Sequence, residues 1–146
     1  MTSLFDSVSL MHGRVMPNRF MLSPLTNQQS NVDGTLSEEE FTWLTMRAQG
    51  GFGLTMTCAS HVQRIGQGFP GQLGCFGDEH AVGLKRIADA IRATGNLSYV
   101  QLHHAGNRSP KELIGEVPVC PSEDAETGAR ELTRAEVEQL IADFVA

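Results

Sequence analysis

The sequence predicts an α/β fold in which parallel strands are joined by crossover helices, and three observations lead to it. Segments with the composition of strands alternate with segments whose apolar residues recur at helical spacing. The loops after the predicted strands are long and polar, whereas those after the predicted helices are short and contain glycine. The composition, with 40% hydrophobic and 19% charged residues, is typical of a globular chain. Such alternation favours parallel strands, because each crossover returns the chain to the same end of the sheet.

The N-terminal segment predicts a hairpin followed by a first strand. Residues 8–17 fit a hairpin that turns at residues 12–13. The apolar run 19–22 predicts a strand that ends at residues 23–24, because Pro24 lacks an N–H group and biases the preceding residue toward extended geometry.

The first helix and the second strand follow. Ser37 and Glu40 have the spacing of a capping box, which predicts a helix ending at residues 50–51. Residues 53–59 alternate apolar residues with threonine and predict a strand. The apolar face of the helix consists of Phe41, Leu44 and Ala48.

Two more helices and one more strand complete the pattern. Asp78 is the predicted cap of a helix that ends at Gly95, and residues 97–102 predict the third strand. Thr133 and Glu136 form a second capping box, and the helix that it opens reaches the last residue without a stop signal. The apolar stripes of these helices are Leu84, Ile87, Ala88 and Ile91, and Val137, Leu140, Ile141 and Phe144.

Two architectures fit this alternation of strands and helices. Long loops at 23–36, 60–77 and 103–132 follow the strands, which is the asymmetry of a (β/α)8 barrel. Such a barrel needs about 250 residues, so this chain would hold about three of its units. A compact doubly wound sheet remains the alternative, but the glycine patterns of a dinucleotide site or a P-loop are missing from the strand-to-helix turns.

Composition excludes several classes of function. The formal net charge is −6 and no basic stripe can be drawn, which argues against a nucleic-acid or anionic-membrane partner. No apolar run approaches the ~20 residues of a membrane span, and the N-terminus does not resemble a secretory signal, so the expected location is cytoplasmic. The three cysteines are widely spaced, which predicts neither a disulfide framework nor a metal site. Each is read as a small buried hydrophobe.

Two polar positions at strand ends are candidates for binding. Ser23, Pro24, Leu25 and Thr26 lie where the first strand ends, and backbone groups released from the sheet there can meet the edge of a flat heterocycle. Gln101 ends the third strand, and its amide offers both acceptor and donors to such a ring. The alternatives are a simple strand stop and a polar residue at the rim of a barrel.

Two other patterns give weaker indications of a functional site. His103 and His104 point to opposite sides of an extended segment, so a shared metal is not expected and a structural role is favoured. The glycine-rich segment 66–74 lacks the Lys and Ser/Thr of a phosphate cradle and is interpreted as a conformationally demanding loop.

Taken together and in order, these segments resemble the N-terminal part of the Old Yellow Enzyme family of FMN-dependent ene-reductases. Each segment alone is weak, whereas the ordered set spans nearly the whole chain. The segments that carry the resemblance are residues 18–26, 66–74, 78–79, 100–108 and 131–133.

The resemblance implies a (β/α)8 (TIM) barrel with a hairpin at its bottom, residues 1–146 being a partial domain, and FMN at its mouth. Residues 23–26 match the segment bordering the flavin, and Thr26 matches the position that tunes the flavin near its N5/O4 edge. Cys58 matches a small residue beside the ring, usually Ala or Gly in the family, and Gln101 matches the glutamine that binds the pyrimidine part.

The resemblance also implies the reaction: hydride passes from NAD(P)H to FMN and then to the activated C=C bond of an enone-type substrate. The family's carbonyl-binding pair and tyrosine proton donor follow the fourth strand, and no such pattern occurs here. We therefore expect a truncated, split or cleaved piece that needs the remaining barrel segment or a second chain. The alternative is a non-catalytic half-barrel that self-associates as a binding or scaffold module.

Overall fold

The structure, a computed structural model that describes residues 2–146, begins with a short antiparallel hairpin. Strand β1 (Val8–Ser9) pairs with strand β2 (Val15–Met16), and a single 3-10 turn joins them. The chain reverses at His12 and Gly13, whose φ angles are +65° and +82°. The predicted hairpin and the position of its turn are confirmed.

Three parallel strands form the main sheet, in the order β3-β4-β5. The first is shorter than predicted and the other two are longer, because the ladder extends wherever a neighbouring strand supplies partners. The strands are β3 (Met21–Leu22), β4 (Leu54–His61) and β5 (Leu97–His103).

Helix α1 (Glu38–Gln49) crosses from β3 to β4. The Ser37 hydroxyl caps it by accepting a hydrogen bond of 3.1 Å from the Glu40 N–H. Only this half of the predicted capping box forms, because the Glu40 carboxylate turns inward to Ser30 and Cys58.

Helix α2 (Asp78–Ala93) crosses from β4 to β5. Asp78 was predicted as its cap, and this is wrong: Gly77 occupies the cap position and Asp78 is the first helical residue. A carboxylate remains favourable there, because the first turn exposes unpaired N–H groups and carries the positive end of the helix dipole.

The two crossover helices pack on one face of the sheet and bury a common apolar core. Leu22 and Phe41 pack against this core from the strand and the first helix. Of the predicted stripe on α2, Ile87 and Ile91 are buried, whereas Leu84 is half-buried. The fully buried residues of the core are Leu44, Ala48, Ile87 and Ile91.

The long segment after β5 holds a small second sheet that the sequence did not predict. Strands of two residues are too short to show periodicity, and their pairing joins positions eleven residues apart. The elements are α3 (Lys111–Ile114), β6 (Val119–Cys120) and β7 (Arg130–Glu131), with β6 parallel to β7.

Helix α4 (Arg134–Val145) begins with the predicted capping box, which is complete. Arg130 reinforces it through an ion pair of 2.6 Å to Glu136. Arg130 first, and then the Thr133 N–H and hydroxyl, lower the pKa of Glu136 to about 2. Across residues 2–146, no helix combines the length and apolar character that crossing a membrane requires.

We expect Ile91→Ala to lower the free energy of unfolding by about 2–5 kcal/mol, because it leaves a cavity in the core between the helices. Ile91 is 1% exposed. The matched control on the same helix is Val82→Ala, which removes an exposed side chain and should change stability by less than about 0.5 kcal/mol. Urea unfolding measures both, and equal losses would contradict this account of the core.

Candidate functional site

The main sheet has one face covered by the helices and one face turned away from them. Leu22 packs against the helical core, and its register partner Thr55 pairs in turn with Ser98, so these three residues share the covered face. Side chains alternate along a strand. Tyr99 and Gln101, at one and three residues beyond Ser98, therefore lie on the opposite face.

A bulge in β4 decides which of its residues join Gln101. Met56 pairs with Tyr99 and Ala59 pairs with Gln101, so β4 has one residue more than β5 over this interval. Register partners in a parallel pair point to the same side. Ala59 therefore lies beside Gln101 on the uncovered face, near the carboxyl ends of the strands.

Cys58 points the other way, which corrects the residue that sequence reasoning placed beside the ring. Its thiol is 1% exposed and donates to the Glu40 carboxylate on α1 at 3.0 Å. Burial, reinforced by Glu40, raises the pKa of the thiol and so disfavours the thiolate. Ala59, rather than Cys58, is the small residue on the uncovered face beside Gln101, because the strand contains one added residue that the sequence pattern does not show.

The segment of residues 23–26 leaves the carboxyl end of β3, next to the edge that carries Ala59. Ser23, Leu25 and Thr26 are exposed. Within residues 2–146, the Thr26 hydroxyl and the side-chain amide of Gln101 make no hydrogen bond, whereas the Gln101 backbone N–H donates to the Thr57 hydroxyl at 3.3 Å. Both groups therefore retain hydrogen-bonding capacity, and their binding role stays a prediction.

The loop that continues from this segment is fastened to the glycine-rich loop after β4. The Ser30 N–H donates to the Gly71 carbonyl at 3.0 Å. A Cβ atom at Gly71 would lie 2.5 Å from the Gln28 carbonyl oxygen, and Gly71 has a φ of +68°, so only glycine fits. The two loops form one layer at the carboxyl end of the sheet.

Gln72 supports this layer, and sequence reasoning missed it. Its side chain is fully buried, donates to the Ala59 carbonyl at 2.8 Å and accepts from the Gly68 N–H at 2.7 Å. The same amide nitrogen lies 3.2 Å from Nδ1 of His103. A polar residue inside a glycine-rich loop carries no periodic signal, so only the folded chain shows this role.

The paired histidines have separate surroundings. Nδ1 of His104 accepts from the Gly106 N–H at 3.0 Å, whereas Nδ1 of His103 lies 3.2 Å from the side-chain nitrogen of Gln72. Burial lowers the pKa of both. No group of three potential metal ligands occurs in the part of the chain that the structure describes. The structural role predicted for the pair agrees with these contacts.

A second histidine cluster lies where β4 meets α2. The Phe76 ring stands between His61 and His80, with centroid distances of 4.9 and 4.4 Å. His61 is 2% exposed, and its Nε2 has no hydrogen-bond partner in residues 2–146. Burial is the main cause that lowers the pKa of His61, so this ring stays neutral near pH 7.

Parallel strands, crossover helices on one face and long loops gathered at the carboxyl ends define a segment of a (β/α)8 barrel with a binding mouth. The chain belongs to the NADH:flavin oxidoreductase / NADH oxidase family, whose pattern matches residues 3–146.

Similar proteins agree with that assignment. The chain is 37% identical over 145 residues to the probable NADH-dependent flavin oxidoreductase YqiG of Bacillus subtilis, covering 97% of this chain and 39% of YqiG. It is 31% identical over 150 residues to the NADH:acrylate oxidoreductase of Vibrio harveyi, covering 99% of this chain and 15% of that protein. The chain thus spans well under half the length of these relatives.

A solved structure shows the same fold. The old yellow enzyme homologue from Zymomonas mobilis superposes with a TM-score of 0.88 at 27% identity, covering 98% of this chain and 43% of that one. The resemblance to the Old Yellow Enzyme family and the N-terminal part of its barrel are therefore confirmed.

FMN is the cofactor expected for this family, and the residues here fit one edge of it. An isoalloxazine is flat and carries both donors and acceptors along its pyrimidine edge. The side-chain amide of Gln101 can accept from the donors and donate to the acceptors of that edge. The methyl side chain of Ala59, beside Gln101, leaves room for the ring. Among residues 2–146, the Nδ2 atom of Asn27, which follows Thr26 in the sequence, is buried without a hydrogen-bond partner.

We expect acid to destabilise the fold through the buried histidines. In the unfolded chain a histidine has a pKa of about 6.5, whereas burial lowers the pKa of His61, His103 and His104 in the folded chain. Below about pH 6.5 the unfolded state binds more protons, so the stability present above that pH is lost as the pH falls. Urea midpoints followed by Trp43 fluorescence from pH 8 to pH 5 measure the loss.

The His61→Gln variant should show a shallower decline with falling pH than the parent protein. The control is His12→Asn, because His12 is exposed and asparagine tolerates its left-handed conformation. An unchanged decline in His61→Gln would contradict the role given to the buried ring.

Proposed function

We propose that this chain forms one part of the FMN site of an oxidoreductase that reduces activated C=C bonds with NAD(P)H. The observation that carries the proposal is the register of Ala59 with Gln101, at the same end of the sheet as residues 23–26. This register places a small side chain and a free amide together on the uncovered face.

Each residue has a defined task in this proposal. Residues 23–26 border the ring with backbone groups that the sheet no longer uses. Thr26 directs its hydroxyl toward the N5/O4 edge and tunes the reduction potential, while Gln101 binds the pyrimidine edge. Ala59 replaces Cys58 as the small residue beside the ring.

The chemistry supplied by bound FMN is hydride acceptance from NAD(P)H and hydride donation to the alkene. The task of this chain is to orient the ring and to shield one side of it from water, through the joined loops that contain Ser30 and Gly71. The single tyrosine, Tyr99, lies within β5 on the uncovered face and is not placed as a proton donor.

The substrate class proposed is α,β-unsaturated carbonyl compounds. The similarity to the NADH:acrylate oxidoreductase of Vibrio harveyi supports this class. The carbonyl-binding pair and the proton donor are proposed to come from the rest of the barrel, supplied by the same polypeptide or by a second chain. The coverage of only 39% of YqiG supports this division.

We expect the protein, purified from its complete native gene through an N-terminal tag, to be yellow and to carry FMN. NADH or NADPH should bleach the flavin absorbance anaerobically, and an enone such as cyclohexenone should restore it while the alkene is reduced. A colourless homo-oligomer without affinity for FMN would contradict the proposal and would favour a scaffold role.

Gln101→Leu is expected to weaken FMN binding about tenfold, because the ring loses hydrogen bonds along its pyrimidine edge. The matched control, Gln49→Leu, removes an amide from the exposed end of α1 and should leave the dissociation constant within about twofold. Quenching of FMN fluorescence measures both. Equal affinities in the two variants would remove Gln101 from the site.

A further inference from the structure

Glu40 is a buried carboxylate that the functions above leave unexplained. It is 0% exposed and lies in the first turns of α1. No ion pair within residues 2–146 includes it. Burying a carboxylate is costly unless donors satisfy it, so its surroundings must supply them.

Two donors meet this carboxylate from different parts of the fold. The Ser30 hydroxyl donates to Oε2 from the loop after β3. The Cys58 thiol donates to Oε1 at 3.0 Å from the bulge of β4. Glu40 is therefore the point where helix α1, the loop after β3 and strand β4 are joined by hydrogen bonds.

Each of these links controls a part of the candidate site. Ser30 belongs to the loop that continues from Thr26, and its N–H group also holds the glycine-rich loop at Gly71. Cys58 is the neighbour of Ala59, so fixing its side chain toward α1 fixes the methyl group of Ala59 on the other face.

We propose that Glu40 is a positioning residue of the flavin site, acting through Ser30 on the mouth loop and through Cys58 on the bulge that presents Ala59. This inference rests on the proposed function, since it requires that FMN binds at this end of the sheet. It differs from a purely structural role, in which losing Glu40 would cost stability and leave the properties of the bound flavin unchanged.

The experiment compares three variants of the tagged protein expressed from its complete native gene. Glu40→Ala removes both links. Glu40→Gln keeps them, because its amide oxygen accepts from Cys58 and its NH2 group donates to the Ser30 hydroxyl. Ile91→Ala is the stability control, since it weakens the core without touching either link. The measurements are the FMN dissociation constant, the visible circular dichroism of the bound flavin and the melting temperature of the apoprotein.

Glu40→Ala should raise the FMN dissociation constant about tenfold and change the flavin dichroism. Glu40→Gln should stay within about threefold of the parent protein and keep its spectrum. Ile91→Ala should lower the melting temperature and leave flavin affinity and spectrum unchanged. Glu40→Ala and Ile91→Ala having equal affinities and spectra would overturn the proposal.

Ser30→Ala serves where Glu40→Ala does not fold, because it breaks only the link to the loop. It should weaken FMN binding by about threefold or more, with a changed dichroism. Parental affinity and spectrum in Ser30→Ala would also overturn the positioning role. A parent protein that binds no FMN would instead refute the proposed function, so the two failures are distinguishable.

Discussion

The register between β4 and β5 is the constraint on which the rest of the site depends. A parallel pair shares its faces residue by residue, so one added residue reverses the direction of every later side chain relative to the partner strand. The bulge after Met56 makes that reversal in the middle of β4. It turns Cys58 toward the helices and sets Ala59 beside Gln101 on the uncovered face.

Hydrogen bonds around this bulge hold the loops as well as the strand. The Glu40 carboxylate accepts hydrogen bonds from the Ser30 hydroxyl and the Cys58 thiol. The Gln72 side-chain amide, in the loop after β4, donates to the Ala59 carbonyl. Hydrogen bonds thus hold β4 at two adjacent residues, Cys58 and Ala59. Buried polar networks can be worth more than the sum of their pairs, so these hydrogen bonds link the bulge to both mouth loops.

Local patterns were sufficient for most elements of the fold and for part of the site. The hairpin, both crossover helices and the capping box at Thr133 follow from spacing and capping chemistry, which act within a few residues. Gln101 was a candidate because a side-chain amide at the end of a strand can both donate and accept, and its role toward a flavin stays a prediction. Asp78 was misplaced by one residue because a glycine can occupy a cap position without any side-chain signal.

By itself the sequence determined the class of the fold, the order of its elements and its family, because periodicity, capping and ordered motifs are local properties of the chain. Only the tertiary structure decided which side chains share a face. Ala59, and not Cys58, lies beside Gln101 because of the bulge in β4. The inward direction of the Glu40 carboxylate and the hydrogen bond from Gln72 to the Ala59 carbonyl depend on contacts between residues distant in sequence. Such contacts contribute to the free energy of folding only after the strands have paired and the helices have covered them.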